Sequence, residues 1–327
     1  MTAASEGRAA NKAVFLDYAS LDFGDLDPAC LYNVLPELEL YPHTAPAEIV
    51  ERLQDAEIAI VSDLLLPAEI FSQLPQLKLV LLSATGTNAV DLQAARQHGV
   101  TVCNCQGYGT HSVAQHTLAL ILSLTNHVAR YDALVRQGDW AASDRFCLTN
   151  YPLTELNGKL LGIVGQGELG SKVAQLAEAF GMQVRFAQLP GRDSSPDKLP
   201  LDELLATADV VALHCPLTPE TSGLINSYRL SLMKPSALLI NSARGALIDE
   251  QALAEALRRG EIGGAAVDVL SQEPPSPDNP LLAGGIPNLL ITPHIAWGST
   301  EARQGALFQL AENVSAWQSG AALRVVS

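Results

Sequence analysis

Positive charge is scarce in this chain. Among its 327 residues, 20 Lys and Arg stand against 35 Asp and Glu, a formal net charge of −15. A nucleic-acid binder needs a basic footprint to displace counterions from phosphates, and none is present. The same imbalance opposes anionic ligands at long range, so any anion site must be built from local donors. Five cysteines, an odd number in a long chain, do not make a disulfide framework. Cys103 and Cys105 have no second cysteine or histidine pair at ligand spacing, so they read as small buried residues and no metal site is expected. The opening MTAASEGRAANK lacks the apolar core of a signal peptide. No apolar run approaches the roughly 18 residues of a membrane span. Repeats and low-complexity tracts are missing too. These absences leave a cytoplasmic protein as the default. Its 48% apolar content is enough for full cores, and its length predicts about two domains.

What is present is organised around Lys159 to Gly170. Leu160–Val164 reads as a buried strand, and Gly165, Gly167 and Gly170 form G-x-G-x-x-G. A helix follows with Val173, Leu176, Ala177 and Phe180 on one face, then Gly181 and a second strand, Met182–Ala187. Strand, glycine turn, helix and strand together give the glycines a function in dinucleotide binding. Gly165 permits the tight turn, Gly167 lets a pyrophosphate approach the backbone, and Gly170 lets the helix lie close to the strand. The N–H groups and positive dipole end of that helix then face the phosphates.

Before this unit, strands are expected at Val14–Asp17, Ile58–Val61, Leu79–Leu82 and Val100–Cys103, with helical stretches between them. The alternation predicts a parallel sheet with helices on both faces. Ser83-Ala-Thr-Gly-Thr-Asn88 follows a strand where α/β sheets collect ligands; by position alone it reads as an ordinary strand-to-helix turn. One long helix is expected from Ser112 to about Gly138, with His111 and His116 read as structural because their spacing of five does not share a helix face. Asp139–Pro152 reads as a loop carrying Trp140, Phe146 and Tyr151. After the glycine unit, Asp209–His214, Ala237–Asn241, Ala265–Val269 and Leu289–Thr292 bring the second sheet to six strands, the count of a doubly wound dinucleotide fold. Asp249 is placed as the N-cap of a helix closed by Gly260. Glu301–Gly320 reads as an amphipathic helix that packs back on the first domain.

Arg244, Glu273 and His294 each follow one of these later strands. If the strands are parallel, the three side chains gather at one edge beside the glycines. Singly, each also fits a blander reading, as a solvated arginine, a loop glutamate before prolines, or a structural histidine. Together at a nicotinamide site they fit an α-keto acid or its hydroxy acid. Arg244 can grip the carboxylate and polarise the C2 oxygen. His294 can give that oxygen a proton. Glu273 can pair with the imidazole and favour its protonated form.

With these residues in place the chain resembles the D-2-hydroxyacid dehydrogenases. The resemblance is carried by Gly165-x-Gly-x-x-Gly170, Asn241-Ser-Ala-Arg-Gly-Ala-Leu-Ile-Asp249, Ala266-Val-Asp-Val269 with Glu273-Pro274, and Thr292-Pro-His-Ile-Ala296. It implies that Arg244, Glu273 and His294 are the catalytic residues. It implies that Thr85 and Gly86 belong to a loop whose N–H groups hold the substrate carboxylate, against the ordinary-turn reading. Glu168, Leu169, Pro216, Ser242, Ala243 and Asp268 match further cofactor contacts. The family plan implies a Rossmann cofactor domain over residues 109–296 and a smaller, discontinuous flavodoxin-like α/β substrate domain over 1–108 and 297–327, with the active site between them. It also implies a homodimer. Ala84-Thr-Gly-Thr-Asn88, Gly107-Tyr-x-Thr-x-Ser-Val-Ala-Gln-His116, Phe146-Cys-Leu148 and His294-Ile-Ala-Trp-Gly298 resemble the glycerate dehydrogenase and hydroxypyruvate reductase branch, with Trp297 placed to wall a small pocket. A reductase of another 2-keto acid, and a dinucleotide-sensing corepressor-like scaffold, are the competing readings. The formate dehydrogenase branch is disfavoured, because the partner of its catalytic histidine is a glutamine and here stands Glu273.

One position departs from the NAD-preferring pattern. The acidic residue that would bind the ribose 2′-OH is replaced by Gln188, with Gly191-Arg192-Asp193 following. Without a carboxylate there the 2′-phosphate of NADP is not repelled, and Arg192 can pair with it. The expected cofactor is NADP(H) or NAD(H), leaning to NADP(H). The opposing reading has Asp193 serve NAD, or leaves Arg192 solvated.

Overall fold

The computed structural model describes residues 11–191 and 195–327, and the chain divides into two compact units, 1–109 with 298–327, and 110–297. The first unit holds five parallel strands: β1 (Ala13–Phe15), β2 (Leu38–Leu40), β3 (Ile58–Val61), β4 (Leu79–Leu82) and β5 (Thr101–Cys103). Their order is β2-β1-β3-β4-β5. Every residue of β1, β3 and β4 is buried, the near-continuous apolar strand that a sheet covered on both faces requires. The chain's last helix, Thr300–Gln318, returns to this unit and packs on the short helix Ala29–Val34. Its buried Arg303 pairs with Asp25 at 2.6 Å. Strand β2 has no counterpart in the sequence reading. It is a three-residue edge strand with one buried position, too short for its alternation to register.

The second unit holds β6 (Leu160–Val164), β7 (Gln183–Gln188), β8 (Lys198–Pro200), β9 (Val210–Leu213), β10 (Leu238–Asn241), β11 (Gly264–Val267) and β12 (Leu289–Ile291). They run parallel in the order β12-β11-β10-β9-β6-β7-β8. The order reverses direction at β6, so the ligand crevice of this sheet lies at the carboxyl ends of β6 and β9. Among the described residues seven strands replace the six expected. The addition, β8, is an edge strand ending in Pro200, where proline is tolerated because one side of an edge needs no ladder partner. The helix expected as one piece is two, Thr110–Asn126 and Val128–Gln137. His127 separates them in a left-handed conformation at φ 51°, which apolar periodicity cannot report. In the glycine-loop helix, Glu168–Ala179, Val173 and Ala177 are buried as expected, but Phe180 caps the helix and is exposed. Asp249 accepts from Ala252 N at its helix start, and Gly260 ends that helix at φ 67°.

Candidate active site

The glycine loop is shaped by what its missing side chains would strike. A Cβ at Gly165, where φ is 117°, would meet the His214 carbonyl oxygen at 2.5 Å. A Cβ at Gly170 would lie 2.0 Å from the Gly165 carbonyl oxygen. These two glycines hold β6, β9 and the helix together. Gly167, the N-cap, is different: a Cβ there would meet nothing within 4 Å. Its bareness serves no contact within the chain and leaves the helix N-terminus open to a ligand. That cradle fits a dinucleotide pyrophosphate, with Glu168 and Leu169 in the first turn. Glu168 accepts from Thr110 Oγ1 at 2.9 Å. Beside Gly165, both ring nitrogens of His214 are buried with no partner among the described residues. Burial lowers that imidazole to about 4 and keeps it neutral.

The other residues expected at the cofactor lie along the same sheet edge. Gln188 ends β7 and accepts from Ser195 N at 3.2 Å. Pro216 follows β9, exposed, its carbonyl receiving Thr221 Oγ1 at 2.8 Å. Ser242 and Ala243 follow β10; Ser242 is buried against Thr117, with 3.0 Å between the hydroxyls. Arg192 and Asp193 lie outside the described residues.

Because β10, β11 and β12 are neighbours and parallel, the residues after them converge. Arg244 leaves β10 extended, bracketed by the side chain of Asn241, which donates to Arg244 O at 2.9 Å and accepts from Ala243 N at 3.0 Å. Gly245 then passes so close to the next turn that a Cβ would lie 1.9 Å from the Leu270 carbonyl carbon. Glu273 closes that turn, accepting Leu270 N at 2.8 Å on Oε1. Its Oε2 lies 2.7 Å from His294 Nδ1. His294 itself is left-handed at φ 53°. Its N–H donates to Asp268 O at 2.7 Å, and its carbonyl accepts from Trp297 Nε1 at 2.9 Å.

The electrostatics follow from these contacts. The Glu273 carboxylate raises the His294 imidazole above its ordinary value; burial and the positive charge of Arg244 oppose, and Asp268 assists. Burial pushes Glu273 up, but His294 and the Leu270 amide outweigh it and hold the carboxyl low. Asp268 is buried, which also pushes up, yet His116, Thr292, Ala296 and Ile295 hold it below the usual carboxylate range. With Nδ1 committed to Glu273, Nε2 is the nitrogen left to exchange a proton with a substrate.

Thr85 and Gly86 belong to the other unit. They sit in the loop after β4, Thr85 exposed and Gly86 half-buried. Asn104 Nδ2 donates to Thr85 O at 2.8 Å, and Cys105 N to Ala84 O at 3.1 Å. His116, read as structural from its spacing to His111, contacts Thr292 and lies near Asp268. Its Nε2 is 3.1 Å from Thr292 Oγ1 and 3.5 Å from Asp268 Oδ1. The spacing that carried the signal was to Ser112, four residues earlier, whose Oγ donates to Ala296 O at 2.7 Å.

Comparison with known proteins shows which family the chain is similar to. The profile of the family described as D-isomer specific 2-hydroxyacid dehydrogenase, NAD binding domain, matches residues 118–296. The chain is 44% identical to a glycerate dehydrogenase of Methylorubrum extorquens, over 96% of this chain and 98% of that one. It is 38% identical to a hydroxypyruvate reductase of Blautia hydrogenotrophica, over 97% and 99%. Among solved structures it is similar to an NADPH-dependent glyoxylate/hydroxypyruvate reductase of Sinorhizobium meliloti in complex with NADP and malonate. That likeness has a TM-score of 0.81 and 29% identity, covering 98% of this chain and 97% of that chain.

Proposed function

The chain belongs to the D-isomer-specific 2-hydroxyacid dehydrogenases, and from that premise we propose that it reduces hydroxypyruvate, and with it glyoxylate, to D-glycerate and glycolate. The observation that carries the chemistry is the 2.7 Å pair of His294 Nδ1 and Glu273 Oε2, which joins the segments after β12 and β11, with β11 in turn adjoining β10 and its Arg244. Arg244 holds the keto acid's carboxylate and draws electron density from its C2 oxygen. When bound, the nicotinamide supplies the hydride to C2. His294 delivers the Nε2 proton to the C2 oxygen, and Glu273 stabilises the imidazolium until that transfer. In the oxidative direction the neutral imidazole takes the proton back.

The dinucleotide is read as NADP(H) in preference to NAD(H), because Gln188 stands where a carboxylate would repel a 2′-phosphate. The NADP-bound Sinorhizobium structure supports a site of this kind. The enzyme is read as a homodimer. In the 110–297 unit, Val128, Phe146 and Leu153 are 68%, 90% and 63% exposed, apolar surface of the kind a second copy covers.

The test is oxidation of NADPH and NADH over hydroxypyruvate, glyoxylate and pyruvate. Hydroxypyruvate with NADPH is expected to be turned over fastest. His294→Ala is expected to lose on the order of 10²–10⁴-fold in kcat while binding the dinucleotide as before. Turnover of the wild type that survives this substitution refutes the mechanism.

A further inference from the structure

We infer that His116 is a positioning residue for His294, acting through the Thr292 hydroxyl and the buried carboxylate of Asp268. The inference rests on the reading of His294 as the proton donor.

Thr292 has one hydroxyl proton, and it is directed to Asp268 Oδ1 at 2.5 Å. Toward His116 Nε2, 3.1 Å away, the same oxygen can therefore act only as an acceptor. This fixes the tautomer: His116 carries a proton on Nε2. The chain of donors runs from His116 Nε2–H to Thr292 Oγ1–H to Asp268.

Asp268 is the hub that this chain feeds. Its side chain is 0% exposed, and a buried carboxylate is costly unless its lone pairs are met. Besides Thr292, they are met by Ile295 N at 3.0 Å and Ala296 N at 2.9 Å. The same residue's backbone oxygen receives His294 N. Asp268 therefore bonds four of the five residues from Thr292 to Ala296. Between them His294 holds a left-handed φ of 53°, a conformation that a non-glycine residue keeps only when its surroundings impose it.

The helix Thr110–Asn126 supplies the outer grip. Ser112 and His116 are one helical turn apart and share a face. Ser112 Oγ binds the Ala296 carbonyl at one end of the turn, and His116 reaches Thr292 at the other. Without the imidazole, Thr292 keeps its bond to Asp268 but loses the donor to its own oxygen, and the turn loses one of its two anchors on the helix. The consequence falls on the position of His294 Nε2. A misplacement of about 1 Å at a reacting group costs on the order of 10²-fold in rate.

The experiment compares His116→Ala with His116→Gln, because a glutamine amide can donate to Thr292 and an alanine cannot. His116→Ala is expected to lower kcat for keto-acid reduction by roughly tenfold to a hundredfold. The KM for keto acid and the affinity for NADPH are expected to stay within about twofold, and His116→Gln to recover most of the loss. A second arm needs no turnover. In the substrate-free enzyme, the downfield NMR resonance of the proton between His294 Nδ1 and Glu273, assigned by its disappearance in His294→Ala, is expected to shift or broaden in His116→Ala and to return in His116→Gln. Equal loss in both variants, or wild-type kcat and an unmoved resonance in both, makes His116 a packing residue and overturns the inference. If His294→Ala itself turns over normally, the functional reading fails instead, and the NMR arm still decides whether His116 holds the turn.

Discussion

Gly167 and Gly170 lie three residues apart, yet an alanine at each is expected to fail in opposite ways. At position 170 the new Cβ would sit 2.0 Å from the Gly165 carbonyl oxygen. The helix must retreat from the strand by roughly 1 Å or more, a forced repacking of about 1–3 kcal/mol. For a domain of this size each kcal/mol lowers the melting temperature by about 2–4 °C, so Gly170→Ala should melt several degrees early with or without ligand. At position 167 the added methyl meets nothing within 4 Å, and φ −88°, ψ −171° is open to any residue. Alanine is a poorer N-cap than glycine by up to about 1 kcal/mol, but it restricts the unfolded chain by about 0.4–1 kcal/mol, and the two nearly cancel. Gly167→Ala should therefore melt with the wild type. It should bind NADPH at least tenfold more weakly, about 1.4 kcal/mol, because the methyl stands where the pyrophosphate must approach. Scanning fluorimetry of the unliganded protein and titration of NADPH fluorescence separate the two. If Gly167→Ala keeps wild-type affinity, the open N-cap is not a phosphate seat and the placement of the dinucleotide is wrong. If Gly170→Ala melts normally, the helix is not held where the structure puts it.

Three further outcomes follow from the site and its surroundings. Protonated His294 is the reactive form in reduction, so kcat/KM should fall as pH rises through its raised value; Glu273→Gln removes the leading cause of that rise and should move the falling limb to lower pH, whereas an unmoved limb would mean that another group titrates. Oxidation needs the neutral imidazole, so its rising limb should move the same way in the same variant. Gln188→Asp should shift the ratio of kcat/KM for NADPH over NADH toward NADH by at least tenfold, and an unchanged ratio would remove Gln188 from cofactor choice. Sedimentation of the 34.7 kDa chain should give a dimer, and Phe146→Asp should weaken it; a wild-type monomer, or a variant dimer as tight as the wild type, would remove Phe146 from the interface.

The parts of the fold that sequence reveals are those where a local pattern answers to a local cause. The glycine loop is legible because each glycine is required by a separate contact or by its absence, and strands such as Ile58–Val61 because they are buried at every position. Strands β2 and β8 escape notice because three edge residues, one of them a proline in β8, have neither the length nor the alternation to register. The break at His127 is a backbone event, and neither flanking helix loses its apolar spacing there. Arg244, Glu273 and His294 can be nominated from sequence because each follows a strand; that Glu273 and His294 meet, with Arg244 on the neighbouring strand end, depends on β10, β11 and β12 being adjacent, a fact of topology. The contact of His116 with Thr292 is illegible in the sequence for a sharper reason. The informative interval was the four residues to Ser112, but neither residue points to a role until the turn they both touch is placed beside them.

The acidic balance of the chain also becomes intelligible at the site. A protein of net charge −15 that takes a dinucleotide and a keto acid must bind two anions against its own field. Two carboxylates lie at the proposed centre, and both are already matched. Asp268 is turned inward on backbone N–H groups and the His116–Thr292 chain, and Glu273 is bound to His294 and the Leu270 amide. Arg244 has no carboxylate partner among the described residues and donates instead to the Ala243 carbonyl at 2.7 Å. Its full positive charge thus remains for an incoming anion. The glycine-loop helix adds its N-terminal dipole further along the same sheet edge, at the carboxyl end of β6. The remaining negative charge acts across water, where it is screened within about 8–10 Å at physiological salt. Donors in contact with the ligand are not screened in that way, so the local arrangement decides binding and the net charge does not.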